Sequence, residues 1–154
     1  MNADFVNPFI GGFLNVLETM AQTSLKPGKP KRKQDDIAKG DISGLIGMVG
    51  PTVKGSLSIT FDESLALTLM ERMVGERPEK IDAEVGDMVG EITNMICGNA
   101  KRDLSEKGYE FGMATPIVVS GKQHTISHQV DGPKLILPFM CDAGLAHLEI
   151  CFDK

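Results

Sequence analysis

Tryptophan is absent from this sequence of 154 residues, and tyrosine occurs once. Seven phenylalanines and nine methionines supply the large apolar volume instead. The methionines read first as flexible core filler. Cysteine is scarce: Cys97, Cys141 and Cys151 are odd in number and form no C-x-x-C pair. That pattern points away from a disulfide framework or a zinc site and toward reduced thiols in a cytoplasmic protein. Positive charge is not in excess. The formal net charge is −5, which points away from nucleic acid as the main partner. No apolar run has membrane-spanning length. The N-terminus carries acidic Asp4 and lacks the basic stretch of a signal peptide, so no membrane association is expected. Gly11-Gly12 and the Gly47 to Gly50 stretch lack the spacing of a phosphate-binding or dinucleotide loop.

What remains is an ordinary globular composition, long enough to bury a core without covalent support. Residues 1–154 read as a single domain. Val6, Phe9, Ile10, Phe13, Leu14, Leu17 and Met20 recur at helical spacing and predict a helix over Asp4 to Ser24, capped by Asp4. The basic run Lys26 to Lys33 follows. It reads as a solvated loop leading into an edge strand, with anion or acidic-partner binding as the alternative. Ile42 to Val49 predicts a strand buried on both faces. Val53 to Phe61 alternates apolar and polar residues and predicts a half-buried strand. Asp62 and Gly75 bracket a short helix. A long helix spans Asp82 to Gly108. Strands are predicted over Pro116 to Ser120, Thr125 to Gln129, Leu135 to Phe139 and Leu145 to Phe152. Asp131-Gly132 reads as a hairpin turn, Ala143-Gly144 as the next. In the last strand, Leu148, Ile150 and Phe152 face one way, His147, Glu149 and Cys151 the other, with His147 at the surface.

A shift of 86 positions lays Val6 on Ile92, Phe9 on Met95, Ile10 on Ile96, Gly12 on Gly98 and Pro30 on Pro116. Gly50-Pro51 resembles Gly132-Pro133. The chain therefore reads as a duplication: a helix and three strands, twice, with the short helix inserted. The predicted fold is α/β (α+β), a mixed sheet of about six strands with the two long helices on one face. Gly12 and Gly98 are expected where those helices cross.

The long helix carries Asp87, Glu91 and Asn94. At about 100° per residue their side chains fall within roughly 60° of one another, with Gly98 almost directly beneath. Gly90 lies beside them. Glycine costs about 1 kcal/mol relative to Ala in a helix interior, so this face suggests close approach by something else. Three readings are open. The trio is a solvated face. It is part of a hard-oxygen metal site, although one helix face cannot complete a coordination sphere. Or the amide orients a water while the glutamate holds a basic group of a partner, an arrangement suited to hydrolysing a phosphoryl group on a protein. His124 and His128, four apart in a predicted strand, would stand about 13 Å apart and make poor co-ligands.

The segment Asp87-Met-Val-Gly-Glu91-Ile-Thr-Asn94, with Pro116 just over twenty residues on, resembles the D/S-x-x-x-E-x-x-N…P signature of the CheC/CheX/FliY chemotaxis phosphatases. Asn7-Pro-Phe-Ile-Gly11, Gly28-Lys-Pro30, Val53-Lys-Gly-Ser-Leu57, Met73-Val-Gly75 and Thr115-Pro-Ile-Val-Val-Ser-Gly121 look similar to CheX in particular. The signature occurs once here, where CheC types often carry two, so a CheX-type phosphatase is the closer match. The resemblance implies a CheC-like fold and action on the phospho-aspartate of a CheY-type response regulator. It implies that Asn94 orients the attacking water and that Glu91 pairs with the receiver's lysine. Asp87 and, by our own reading, Gly98 would serve partner binding. The chain would supply no metal ligand and no cofactor, Mg²⁺ arriving with the receiver. A homodimer through strand edges is expected. The alternative is a receiver-binding adaptor or flagellar-switch-like module without catalysis.

Overall fold

The structure, a computed structural model, describes residues 3–51, 54–128, 130 and 132–153. Three helices and eight strands follow one another as α1 (Ala3–Ala21), β1 (Lys26–Pro27), β2 (Lys31–Lys33), β3 (Ile42–Val49), β4 (Lys54–Phe61), α2 (Glu63–Val74), α3 (Ala83–Glu106), β5 (Gly112–Met113), β6 (Ile117–Ser120), β7 (Lys134–Cys141) and β8 (Gly144–Asp153). The strands form one sheet in the order β1-β7-β8-β4-β3-β5, with β2 also on β7 and β6 also on β3. The predicted mixed sheet is corrected here, because every pairing between strands is antiparallel.

This order makes the duplication visible. Each half contributes a hairpin, β3–β4 or β7–β8, and the two hairpins meet along β4 and β8. Each half also lends its first, broken strand to the other half's hairpin, β1 and β2 to β7, β5 and β6 to β3. The 86-residue shift carries Lys26–Pro27 onto Gly112–Met113 and Lys31 onto Ile117. Gly50-Pro51 and Gly132-Pro133 are not counterparts, however. Gly50 lies between β3 and β4, whereas Gly132 precedes β7, which turns into β8 at Asp142 and Ala143. Asp131, the first residue of the expected hairpin turn, lies outside the described residues.

Helices α1 and α3 pack together on one face of the sheet. Phe9, Phe13, Phe61 and Phe139 are fully buried between them and the strands. A buried side chain of this size contributes about 1.5–3 kcal/mol. A Cβ on Gly12 would lie 3.3 Å from the Ile96 carbonyl, so Gly12 sits at the helix crossing. Gly98 does not, since a Cβ there would meet nothing within 4 Å. The duplicated helices thus cross off-centre, with the crossing contact on one glycine only. Asp4 falls inside the first turn of α1 rather than at its cap, because the helix begins a residue earlier than its apolar spacing indicated. No helix among the described residues is long and apolar enough to cross a membrane.

The other sheet face differs most from expectation. Strand β4 is buried on both faces, not one: Ser56, Ser58 and Thr60 are as inaccessible as Leu57, Ile59 and Phe61. The predicted strand over Thr125 to Gln129 explains why. Residues 121–128 cross the back of the sheet instead of joining it, touching the β2–β3 connection through an Ile37–Thr125 bridge (Gln129 lies outside the described residues). His124 bonds the Ser43 hydroxyl at 2.7 Å, and His128 bonds Ser56 and Glu149. Lys33 donates to Glu149 at 2.8 Å. The polar half of the alternation is therefore a second, hydrogen-bonded interior layer. His147 is half-buried beneath it rather than at the surface, and its Nδ1 has no hydrogen-bond partner among the described residues.

Candidate functional site

Helix α3 starts where Asp82 accepts a hydrogen bond from the Val85 amide at 3.0 Å. Glu84 in its first turn complements the helix dipole. Val85, Met88, Val89, Ile92, Ile96 and Ala100 hold its apolar face on the core. That packing fixes which side is turned outward. Asp87 and Glu91 are exposed and Asn94 is half-buried, one turn apart along the helix.

The three side chains line one wall of an open groove of about 530 Å³. The opposite wall is the corner between β5 and β6: Met113, Ala114, Thr115 and Pro116, with Val118 beyond. The structure thus brings Asp87, Glu91, Asn94 and Pro116 together. The Ala114 amide donates to the Gly47 carbonyl at 3.0 Å, which ties this wall to the sheet. Among the described residues, no hydrogen bond or ion pair engages Asp87, Glu91 or Asn94. The groove therefore presents two carboxylates and an amide with their bonding capacity free.

Gly90 has a different reason than its place beside the trio suggested. A Cβ there would stand 3.3 Å from Val118 Cγ2, so it is the protein's own strand β6 that approaches the helix. Gly86, one turn earlier, lies under the same valine and also lines the groove. The sequence reading singles out neither Gly86, Met113 nor Ala114, and Thr115 and Val118 enter it only as part of the motif Thr115 to Gly121. The Gly86/Gly90 spacing of four was the available signal. Gly98 is half-exposed, faces open space and is not among the groove-lining residues.

Other reactive groups lie elsewhere. Burial pushes the Cys97 thiol up to about 12, well outside nucleophilic range at neutral pH. His124 and His128 are held in the back layer. No group of three or more His, Cys, Asp or Glu among the described residues is arranged to hold a metal ion.

The family model described as chemotaxis phosphatase CheX matches residues 42–140, a span that includes Asp87, Glu91, Asn94 and Pro116. The chain belongs to the CheX family. Among solved structures, the CheC-like superfamily protein of Shewanella sp. PV-4 is 64% identical, with all of both chains covered and a TM-score of 0.95. The CheX of Borrelia burgdorferi, solved as a CheX–CheY–BeF₃–Mg²⁺ complex, is 28% identical over 99% of this chain and all of that one, with a TM-score of 0.83. The CheY-P phosphatase CheX of Thermotoga maritima is 28% identical over 123 residues, 79% of each chain. This CheX-family chain therefore has the CheC-like α+β fold that the resemblance implied.

Proposed function

We propose that this chain is a phosphatase that accelerates hydrolysis of the phospho-aspartate of a CheY-type response regulator. The observation that carries the reading is the groove itself, where an unengaged carboxylate and carboxamide one turn apart face the Thr115-Pro116 corner. A relative named CheY-P phosphatase and another solved with CheY support the same substrate.

A phospho-aspartate needs little covalent help to hydrolyse. Positioning and electrostatics supply most of the acceleration. In our reading the Asn94 amide orients a water in line with the phosphorus. Being neutral, it holds that water by donor and acceptor without taking its proton. Glu91 pairs with the receiver's lysine by a charge-assisted bond and fixes the docking register. Asp87 and Gly98 belong to the receiver-binding face, Asp87 as a groove-lining charge and Gly98 as open space one turn beyond Asn94. The chain contributes no metal ligand, and Mg²⁺ enters with the receiver. A homodimer through a sheet edge and a cytoplasmic location belong to the same proposal. Strand β6 offers such an edge, with Ile117 60% exposed on it.

The test is phosphate release from a phosphorylated, Mg²⁺-loaded CheY-type receiver, with and without this protein. The proposal expects catalytic amounts to shorten the receiver's phosphorylated lifetime. Binding without any change in lifetime would leave a receiver adaptor instead.

A further inference from the structure

The sheet's other edge is chemically unlike the rest of the molecule. Lys26, Lys29, Lys31 and Arg32 are exposed along β1, β2 and their connection. No ion pair among the described residues involves any of them. The run's fifth cation, Lys33, is turned inward onto Glu149. Nearby Lys134 is satisfied by Asp36. With the chain at −5 overall, these four unpaired cations stand against a molecule of opposite sign.

Two of them are aligned on one sheet face, while Arg32, opposite Leu135, projects from the other. Lys26 pairs with Met140 and Lys31 with Ile136, so both project from the same sheet face. Four residues of β7 separate them, about 13 Å along the strand. At the Lys26 end a cleft opens between β1 and the end of β7, lined by Leu25, Pro27, Met140 and Cys141, with Asp142 at its margin. Met140 is 47% exposed there.

We propose that this edge is a docking strip for an acidic, extended segment of a partner protein. The carboxylates of that segment lie over Lys29 and Lys31, and one apolar side chain enters the cleft beside Met140. Asp142 places the apolar residue, not an acid, at that end. A second copy of this chain does not fit the strip. It would set lysines against lysines, and Pro27 and Pro30 offer no N–H for a continuous ladder. A broad anionic surface, such as a vesicle or a duplex, would have to approach the acidic remainder of the protein as well. The strip lies across the whole sheet from the Asn94 groove, so both can be occupied at once.

The experiment titrates the full chain into a fluorescein-labelled ten-residue peptide carrying one leucine and four glutamates, read by anisotropy at about 150 mM salt, where the Debye length is about 8 Å. Peptides with leucine at either end are used, and a glutamine-for-glutamate version is the control. Saturable binding is expected only for the acidic peptides. Lys29→Glu/Lys31→Glu should weaken it about tenfold or more, a loss of about 1.4 kcal/mol. Lys80→Glu/Lys122→Glu, the same charge change at scattered exposed sites, should leave it intact. Circular dichroism checks that each variant is folded, and phosphate release from the receiver should be unchanged in both. Absence of saturable binding, an equal loss in the two double variants, or tighter binding to anionic vesicles or duplex DNA would overturn the proposal.

Discussion

The Thr93 hydroxyl occupies the space that a side chain at Gly44 would need. Thr93 donates back to the Val89 carbonyl at 2.7 Å, which keeps that hydroxyl close to its own helix. Helix α3 can therefore settle directly on β3, and its depth sets where neighbouring Asn94 stands in the groove. Gly44→Ala forces the helix outward. The expected cost is about 1–3 kcal/mol, the range for overpacking, together with a loss of phosphatase activity. Thr93→Ala in the same chain should restore part of both. A double-mutant cycle by urea denaturation checks this, and additive effects would deny the contact.

The back layer makes stability depend on pH. Burial alone would raise the Glu149 carboxyl, but hydrogen bonds from His128 and Lys33 outweigh it and hold the group below its ordinary value of 4.5. Burial lowers His147 from its ordinary 6.5, with Glu149 opposing and Lys39 and Lys33 assisting. In both cases the unfolded chain binds protons more readily, so stability rises with pH. The contribution is complete above about pH 6.5 and is lost as pH falls, first through the histidine and then, below 4.5, through the glutamate. Urea midpoints should be flat near pH 7 and above and decline in two stages below it. Glu149→Gln should remove the second stage and cost about 3–5 kcal/mol near pH 7, since it strands Lys33 in the interior.

Gly90→Ala separates stability from function. The added methyl would sit 3.3 Å from Val118, which must yield by a few tenths of an ångström. Alanine regains up to about 1 kcal/mol of helix propensity, so the net change in stability should be within about 1 kcal/mol. The same methyl narrows the groove between Asn94 and Pro116. Phosphate release should drop about tenfold, equivalent to about 1.4 kcal/mol in the barrier, while the thermal midpoint holds. Full activity in a folded Gly90→Ala protein would mean the groove is not used.

How much of this was legible in the sequence follows from what determines each feature. Helix α3 and its polar stripe are local: Asp82 caps, Val85 to Ala100 repeats at helical spacing, and Asp87, Glu91 and Asn94 follow from that register. Helix α2 was equally plain between Asp62 and Gly75. The back layer was not legible, because the partners that its bonded polar residues find lie far along the chain. Lys33 finds Glu149, and Ser56 finds His128. Alternation in β4 signalled two faces of different polarity and was read as one face in water. The residue pattern marks Pro116 as the start of a strand, and the family resemblance marks Thr115 and Pro116 as part of a motif. That this corner forms the second wall of the groove depends on β6 crossing to the other half's hairpin. Gly98 was matched to the wrong contact, since equivalence in a duplicated sequence does not require equivalence at a helix crossing.

The central claim is that Asn94 places the water. It is tested most directly by Asn94→Ala in a single-turnover measurement of phosphate release from saturating phosphorylated receiver, with receiver binding measured on the same protein. Asn94 is half-buried and unengaged within its own chain, so the variant should fold and bind. Acceleration should fall by about 10²-fold or more, the scale for losing a positioning group, with affinity changed little. A variant that binds and still accelerates hydrolysis to near the wild-type rate would contradict the account.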